Sequence, residues 1–203
     1  MKIVLFDWNG TILDDIPIWY KSVSEIFRVF GKTPPTIAEY FKELEGDYIQ
    51  IYRSRGIEAS RDELNLIYEP FYQAHIVGAT LFPNIKDVLR FLNDQGIITG
   101  IITAQKDILV SPLLDKFEIK DFFHYRVFHA LDKKIVIQQI LEQEKTNPTE
   151  CYFIGDAPSD IRHGKKAGVV TIGFLAGYIP EELVVGAEPE YVIHNLEEIK
   201  SLF

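Results

Sequence analysis

The chain opens on an apolar run, Ile3 to Phe6, that ends abruptly at Asp7 and passes into a turn-forming Asn9-Gly10-Thr11. Four apolar residues closed by an acid are too few to span a bilayer, but they suit a buried strand that delivers a carboxylate to its own C-terminal end. In open α/β sheets ligands collect outside the carboxyl ends of the strands, so a side chain placed there meets substrate while its backbone stays rigid. Asp7 is therefore the first candidate for chemistry. The alternative is an Asp that simply bonds the backbone of the following turn.

From Ile16 to Phe82 the pattern turns helical. Ile18, Ser22, Ile26 and Phe30 share one face, Gly31 stops the run, and Pro34-Pro35 punctuate it. Thr36 to Leu44 is a second amphipathic stretch ended by Gly46, and Tyr48 to Arg55 a third. Ser60 to Ile76 opens on a Ser60/Glu63 pair with capping-box spacing. No strand-like alternation interrupts the region, which reads as a small all-helical insertion. Tyr40, Phe41, Tyr68 and Phe71 are its expected core.

After Pro83 strands and helices alternate. Helices are expected over Ile85 to Asn93, Asp107 to Lys116, Lys133 to Glu144 and Asp160 to Ala167. Strands are expected over Ile97 to Ile102, Tyr125 to Phe128, Tyr152 to Ile154, Val169 to Phe174 and Tyr191 to Ile193. Such alternation implies right-handed crossovers and a Rossmann-like parallel α/β sheet covered by helices on both faces. The expected division is a core of residues 1–14 and 83–203 and a helical cap of residues 15–82.

A length of 203 residues allows one well-buried core plus a modest insertion. The net charge of −9 argues against a general nucleic-acid or anionic-membrane binder, so an anionic substrate must be held by local cations or a metal. The single cysteine, Cys151, excludes an intrachain disulfide and reads as a core residue. Lys2 is not followed by a long apolar segment and cleavage site, so a cytoplasmic location is expected.

Three strand ends bring Asp7, Thr103 and Asp156 to one rim. A hard divalent ion prefers carboxylate oxygens, so Asp7 and Asp156 with a backbone carbonyl form a plausible Mg²⁺ site. Asp160, one helical turn beyond Asp156, can pair with a lysine or accept from a metal-bound water. Lys133, with Lys134 as the alternative, is the natural cation.

Taken together, FDWNGTILDD, then IITAQ, then Lys133, then IGDAPSD resemble in order and spacing the four signature motifs of the haloacid dehalogenase superfamily, over nearly the whole chain. The helical insertion is similar to that superfamily's C1 cap. The resemblance implies an Mg²⁺-dependent hydrolase of small phosphorylated metabolites, phosphoglycolate phosphatase-like, in which Asp7 attacks phosphorus and forms an aspartyl-phosphate. It further implies that the backbone carbonyl of Asn9 joins Asp7, Asp156 and Asp160 around the metal, and that Thr103, with Ala104 beside it, and Lys133 hold the phosphoryl group. In capped members the insertion also touches substrate; Arg53, Arg55 and the Glu43–Asp47 turn are the candidates.

One position departs from the pattern. Family phosphatases usually carry a second aspartate where this chain has Asn9, and an amide can neither protonate the leaving oxygen nor activate water. General acid–base help of that kind is worth about 10²–10⁴-fold. The expectation is a slow phosphatase, or one favouring acyl or aryl phosphates that leave unprotonated. His129, on the loop before Lys133, is a candidate proton shuttle; the other four histidines are read as structural or exposed. Trp8 is read as packing by the substrate entrance or within the core or cap, and Asp14 and Asp15 as caps of the first insertion helix or hinge residues. A metal-free carbon–halogen hydrolase using Asp7, and a catalytically weak phosphate-binding module, are the competing readings.

Overall fold

The computed structural model describes residues 1–43 and 48–203. In chain order the elements begin with β1 (Ile3–Phe6), a two-residue β2 (Leu13–Asp14), and helices α1 (Ile16–Val29), α2 (Ile37–Glu43), α3 (Ile49–Arg53) and α4 (Arg61–Ile76). There follow β3 (Thr80–Leu81), α5 (Ile85–Asp94), β4 (Ile98–Ile102), α6 (Asp107–Lys116), β5 (Tyr125–Val127) and α7 (Lys133–Glu144). The chain then runs through β6 (Cys151–Gly155), α8 (Pro158–Ala167), β7 (Val170–Phe174), α9 (Glu181–Gly186) and β8 (Tyr191–Ile193).

Six of the strands form one parallel sheet in the order β5-β4-β1-β6-β7-β8. All four residues of β1 are buried because helices cover both faces. Successive strand residues point to opposite sides, so Val4 and Phe6 join one apolar cluster with Val88, Leu92 and Val110. Ile3 and Leu5 join the other with Ile137, Ile140 and Phe153. Trp8 lies in the first cluster, 1% exposed, and is a core residue. Cys151 is buried in the second.

Register fixes where the strand ends fall. Phe6 is paired with Ile101 of β4 and Ile154 of β6, and the Asp7 amide donates to the Ile154 carbonyl at 2.8 Å. Asp7 and Asp156 therefore emerge side by side from adjacent strands.

The four helices α1–α4 sit between β2 and β3, which pair antiparallel and tie the two ends of the insertion together. These two short strands, and α9, were not anticipated from sequence pattern. Two residues per strand are too few to show alternation. The insertion has its own apolar cluster, built around Val23, Ile26, Phe27, Tyr52 and Leu64. The expected stripe of α1 is partly wrong: Phe30 is exposed, while Val23 and Phe27 are buried. Stepping by four residues overshoots a helical turn by about 40° each time, so the buried stripe must alternate steps of three and four. The capping box at α4 is present, with the Ser60 side chain accepting from the Glu63 amide and Glu63 accepting from the Ser60 amide. Helix α8 starts at Pro158, two residues before the expected Asp160, because proline suits the first helical turn. Of the Glu43–Asp47 turn, Leu44 to Asp47 lie outside the described residues.

Candidate active site

The charged cluster starts at the end of β1. Lys133, the first residue of α7, is buried and places its Nζ 2.7 Å from Asp7 Oδ1 and 2.7 Å from Asp160 Oδ1. Helix α7 begins there because the Asp132 side chain accepts from the Lys134 amide at 3.1 Å. That cap aims Lys133, and not Lys134, into the cluster. The Asp156 carboxylate accepts from Thr11 Oγ1 at 3.0 Å. Two glycines make the room: a Cβ on Gly10, whose φ is +73°, would strike the Asp156 carboxylate, and one on Gly155 would strike Asp160.

Oxygens of Asp7, Asp156 and Asp160 all lie within 4.8 Å of one another, and all three residues are buried. Burial raises the Asp7 pKa to about 7; Lys133 pulls it down and Asp160 pushes it up. Burial, then Asp7 and Asp160, raises that of Asp156 well above the carboxylate range. For Lys133 burial acts against the charge, but Asp160 and Asp7 outweigh it and hold the ammonium above its usual pKa. One ammonium cannot neutralise three carboxylates in a dry site, and the cluster is two charges short. A divalent cation with oxygen ligands supplies that deficit, so the residues fit such a metal.

Asn9 belongs to a second group. Its Nδ2 donates to Asp15 Oδ2 at 2.7 Å and to the Tyr72 hydroxyl at 2.9 Å, and Tyr72 donates to the same Asp15 oxygen at 2.6 Å. The Gly10 amide adds a bond to Asp15 Oδ1 at 3.2 Å. Asp15 occupies the N-cap position of α1, yet its side chain makes no capping bond. It is turned into this triangle instead, 1% exposed, and burial raises its pKa to about 6 against the lowering effect of Tyr72 and Asn9. The hydroxyl of Tyr72 comes from α4, so the triangle ties the insertion to the strand-end turn. Asp14 accepts from Tyr178 at 2.9 Å.

Both groups open into one cavity of about 750 Å³. Its floor includes Asp7, Asn9, Asp15, Ala104, Lys133, Asp156 and Asp160. Apolar walls come from Ile16, Val23, Ile26 and Leu64, with rings of Trp19 and Tyr68 nearby. Arg162, His163 and Lys166 of α8 also line it. His163, expected to be structural or exposed, therefore faces the cavity, and burial lowers its pKa. Phe41 and Tyr68, expected as insertion core, line the cavity as well.

Other expected residues lie elsewhere. Thr103 follows β4 and is buried, with its hydroxyl accepting from the Gln105 amide at 3.1 Å; its neighbour Ala104 is the residue that lines the cavity. Arg53 and Arg55 are not brought to it. Helix α3 turns Ile49, Ile51 and Tyr52 inward, which leaves Arg53 exposed, and Arg55 is held by both carboxylate oxygens of Glu43. His129 is exposed, at φ +55°, and also lies off the cavity wall. Asp15 and Tyr72 were missed as partners of Asn9. Asp15 offered a signal as an acid just before a helix, but Tyr72 is 57 residues from it and offered none.

Comparison with known proteins agrees with this architecture. The model of the haloacid dehalogenase-like hydrolase family matches residues 4–174. A phosphoglycolate phosphatase of Pseudomonas putida is 26% identical over 214 residues, covering 98% of this chain and 78% of the relative. One of Vibrio vulnificus is 26% identical over 217 residues, covering 98% and 94%. The solved structure of a haloacid dehalogenase-like family hydrolase from Streptococcus pneumoniae superposes with a TM-score of 0.83 at 22% identity, covering 100% of this chain and 98% of that one. This last likeness concerns the fold.

Proposed function

The chain belongs to the haloacid dehalogenase-like hydrolases and is a phosphatase of that family, and from that premise we propose that it hydrolyses small phosphate monoesters through transient phosphorylation of Asp7. The observation that carries this reading is Lys133 lying 2.7 Å from both Asp7 and Asp160, in one cluster with Asp156, on the floor of the cavity. Phosphoryl transfer asks chiefly for in-line positioning and charge neutralisation around a nucleophile. An Asp7 oxygen attacks phosphorus, the P–O bond to the ester oxygen breaks, and that oxygen departs with the bond's electrons as an alkoxide or aryloxide, which takes its proton from water. Water then attacks the aspartyl-phosphate, releasing inorganic phosphate and restoring the carboxylate.

Each residue of the floor has a role in this scheme. Lys133 balances charge on Asp7 and the phosphoryl oxygens, and Ala104 lines the phosphoryl pocket with Thr103 buried behind it. Asp7, the Asn9 carbonyl, Asp156 and Asp160 would hold Mg²⁺, which when bound neutralises phosphate charge and keeps Asp7 ionised. The Asn9 side chain, already donating to Asp15 and Tyr72, carries no proton to or from the substrate. Turnover is therefore slow on alkyl esters and fastest where the leaving oxygen needs no proton. Residues 15–82 act as a cap whose closure excludes bulk water.

The test is release of inorganic phosphate from acetyl phosphate, p-nitrophenyl phosphate and phosphoglycolate, with Mg²⁺ and with a chelator. Release from all three is expected only with Mg²⁺, and faster from the first two. Turnover indifferent to chelation, or halide release from haloacids with no phosphate release, contradicts the reading.

A further inference from the structure

The floor and roof of the cavity differ in chemistry. Among the described residues, every lysine and arginine on its wall belongs to the core: Lys133 on α7, and Arg162 and Lys166 on α8. The roof contributed by the insertion carries six aromatic rings, those of Trp19, Tyr40, Phe41, Tyr48, Tyr52 and Tyr68. These rings are packed on one another. Trp19 meets the edge of Tyr40 at 5.0 Å between centroids and stacks on Phe41 at 5.2 Å, and Tyr48 meets Tyr52 at 6.2 Å. Rings held in this way present a fixed apolar surface.

From this we infer that the substrate is a phosphate monoester of an aromatic or otherwise apolar alcohol large enough to fill the space under the insertion, not one bearing a second anionic group; the inference rests on the phosphatase reading above. A second carboxylate reaching the roof would leave water for a wall of rings; the insertion's Arg61 lies over the Tyr48 ring but does not line the cavity, so the loss of hydration is strongly unfavourable. Size points the same way. A cavity of about 750 Å³ falls within the range, about 300–1,000 Å³, that accommodates drug-sized ligands. A phosphorylated two-carbon acid would leave most of it to water. The floor makes an independent argument, because Asn9 supplies no proton and aryl oxygens depart without one.

The experiment uses non-hydrolysable probes, so that binding is read apart from turnover. Calorimetry with Mg²⁺ compares naphthylmethylphosphonate, methylphosphonate and phosphonoacetate, the last bearing a second anion. Burying the naphthyl group against the rings should make it bind roughly tenfold or more tighter than either of the others. The preference should largely vanish in Trp19→Ala and return in Trp19→Phe; Phe41→Ala gives the same reading if Trp19→Ala does not fold. Equal affinities for the three probes, or tightest binding of phosphonoacetate, overturn the inference. Naphthylmethylphosphonate preference with no phosphate released from naphthyl phosphate would break the hydrolase reading while leaving the ligand class standing.

Discussion

On the floor of the cavity, three carboxylates have oxygens within 4.8 Å of one another and one ammonium pairs with two of them, delivered by the ends of β1 and β6 and the starts of α7 and α8. On the roof, six aromatic rings come from the insertion, and none of its described arginines lines the cavity: Arg28 pairs with Glu25, Arg55 with Glu43, Arg61 lies over the Tyr48 ring, and Arg53 is exposed. The floor is fixed by sheet register, which tolerates no slip. The roof is set by helix packing, which depends on side-chain volume. The contrast separates two tasks: the floor supplies charge and a nucleophile, and the roof supplies shape. At the seam between them, Asn9, Asp15 and Tyr72 join a strand-end turn to α4 through three hydrogen bonds.

Breaking the floor should have the largest effect. Lys133→Met leaves three buried carboxylates with no ammonium, and removing one partner of a buried ion pair costs about 3–5 kcal/mol. The urea midpoint should fall accordingly and phosphate release should drop below detection. A variant as stable as the parent would mean that the cluster is not charge-coupled as its distances indicate.

Removing Mg²⁺ tests the same cluster through pH. Asp7 and Asp15 have pKa values raised to about 7 and about 6. In chelator the folded state therefore holds protons that the unfolded state has lost, so stability falls as pH rises from about 4 to about 7. For Asp15 alone the fall is about 3 kcal/mol. Glu39 and Glu63 on the surface, held low by backbone bonds to Thr36 and Ser60, act in the opposite sense. Added Mg²⁺ should lift stability at neutral pH and leave it little changed at pH 4. An equal effect at both ends would show that the ion binds elsewhere.

The seam gives a smaller and more selective effect. Asn9→Asp alone sets one carboxylate against that of Asp15, and two acids in contact share a proton. Asn9→Asp with Asp15→Asn keeps one acid and one amide in the contact while moving the acid toward the nucleophile. The double variant should speed release from alkyl phosphates by roughly 10²-fold, more than the single one does. If neither speeds it, proton transfer is not what limits this enzyme. The smallest effect belongs to Tyr72→Phe, which removes the donor to Asp15 and the acceptor for Asn9 at about 1–2 kcal/mol. Amide exchange should quicken in α4 and stay unchanged in β1. Unchanged exchange in α4 would mean that the seam does not tie the insertion down.

The same contrast explains what was legible in the sequence. Asp7 and Asp156 could be found because an apolar run that ends in an acid marks a strand end, whatever surrounds it, and Asp160 because it follows Asp156 by one helical turn. Lys133 could be chosen over Lys134 because Ile137, Ile140 and Leu141 fix the buried face of α7. On the roof, residue type was visible but direction was not. Arg53 and Arg55 were plausible substrate contacts until the five-residue α3 turned Ile51 and Tyr52 inward and Arg53 out. For Asp15 the sequence offers a cap or a hinge residue, and only the packing of α4 brings Tyr72 to it and turns its carboxylate toward Asn9.

The central claim is that Asp7 takes up the phosphoryl group. Incubation of the protein with Mg²⁺ and labelled acetyl phosphate, followed by acid quench and peptide mapping, reads this directly. The label should reside on the N-terminal peptide at Asp7 and be absent from Asp7→Asn. Turnover with label on another residue, or equal labelling of that variant, would contradict the account.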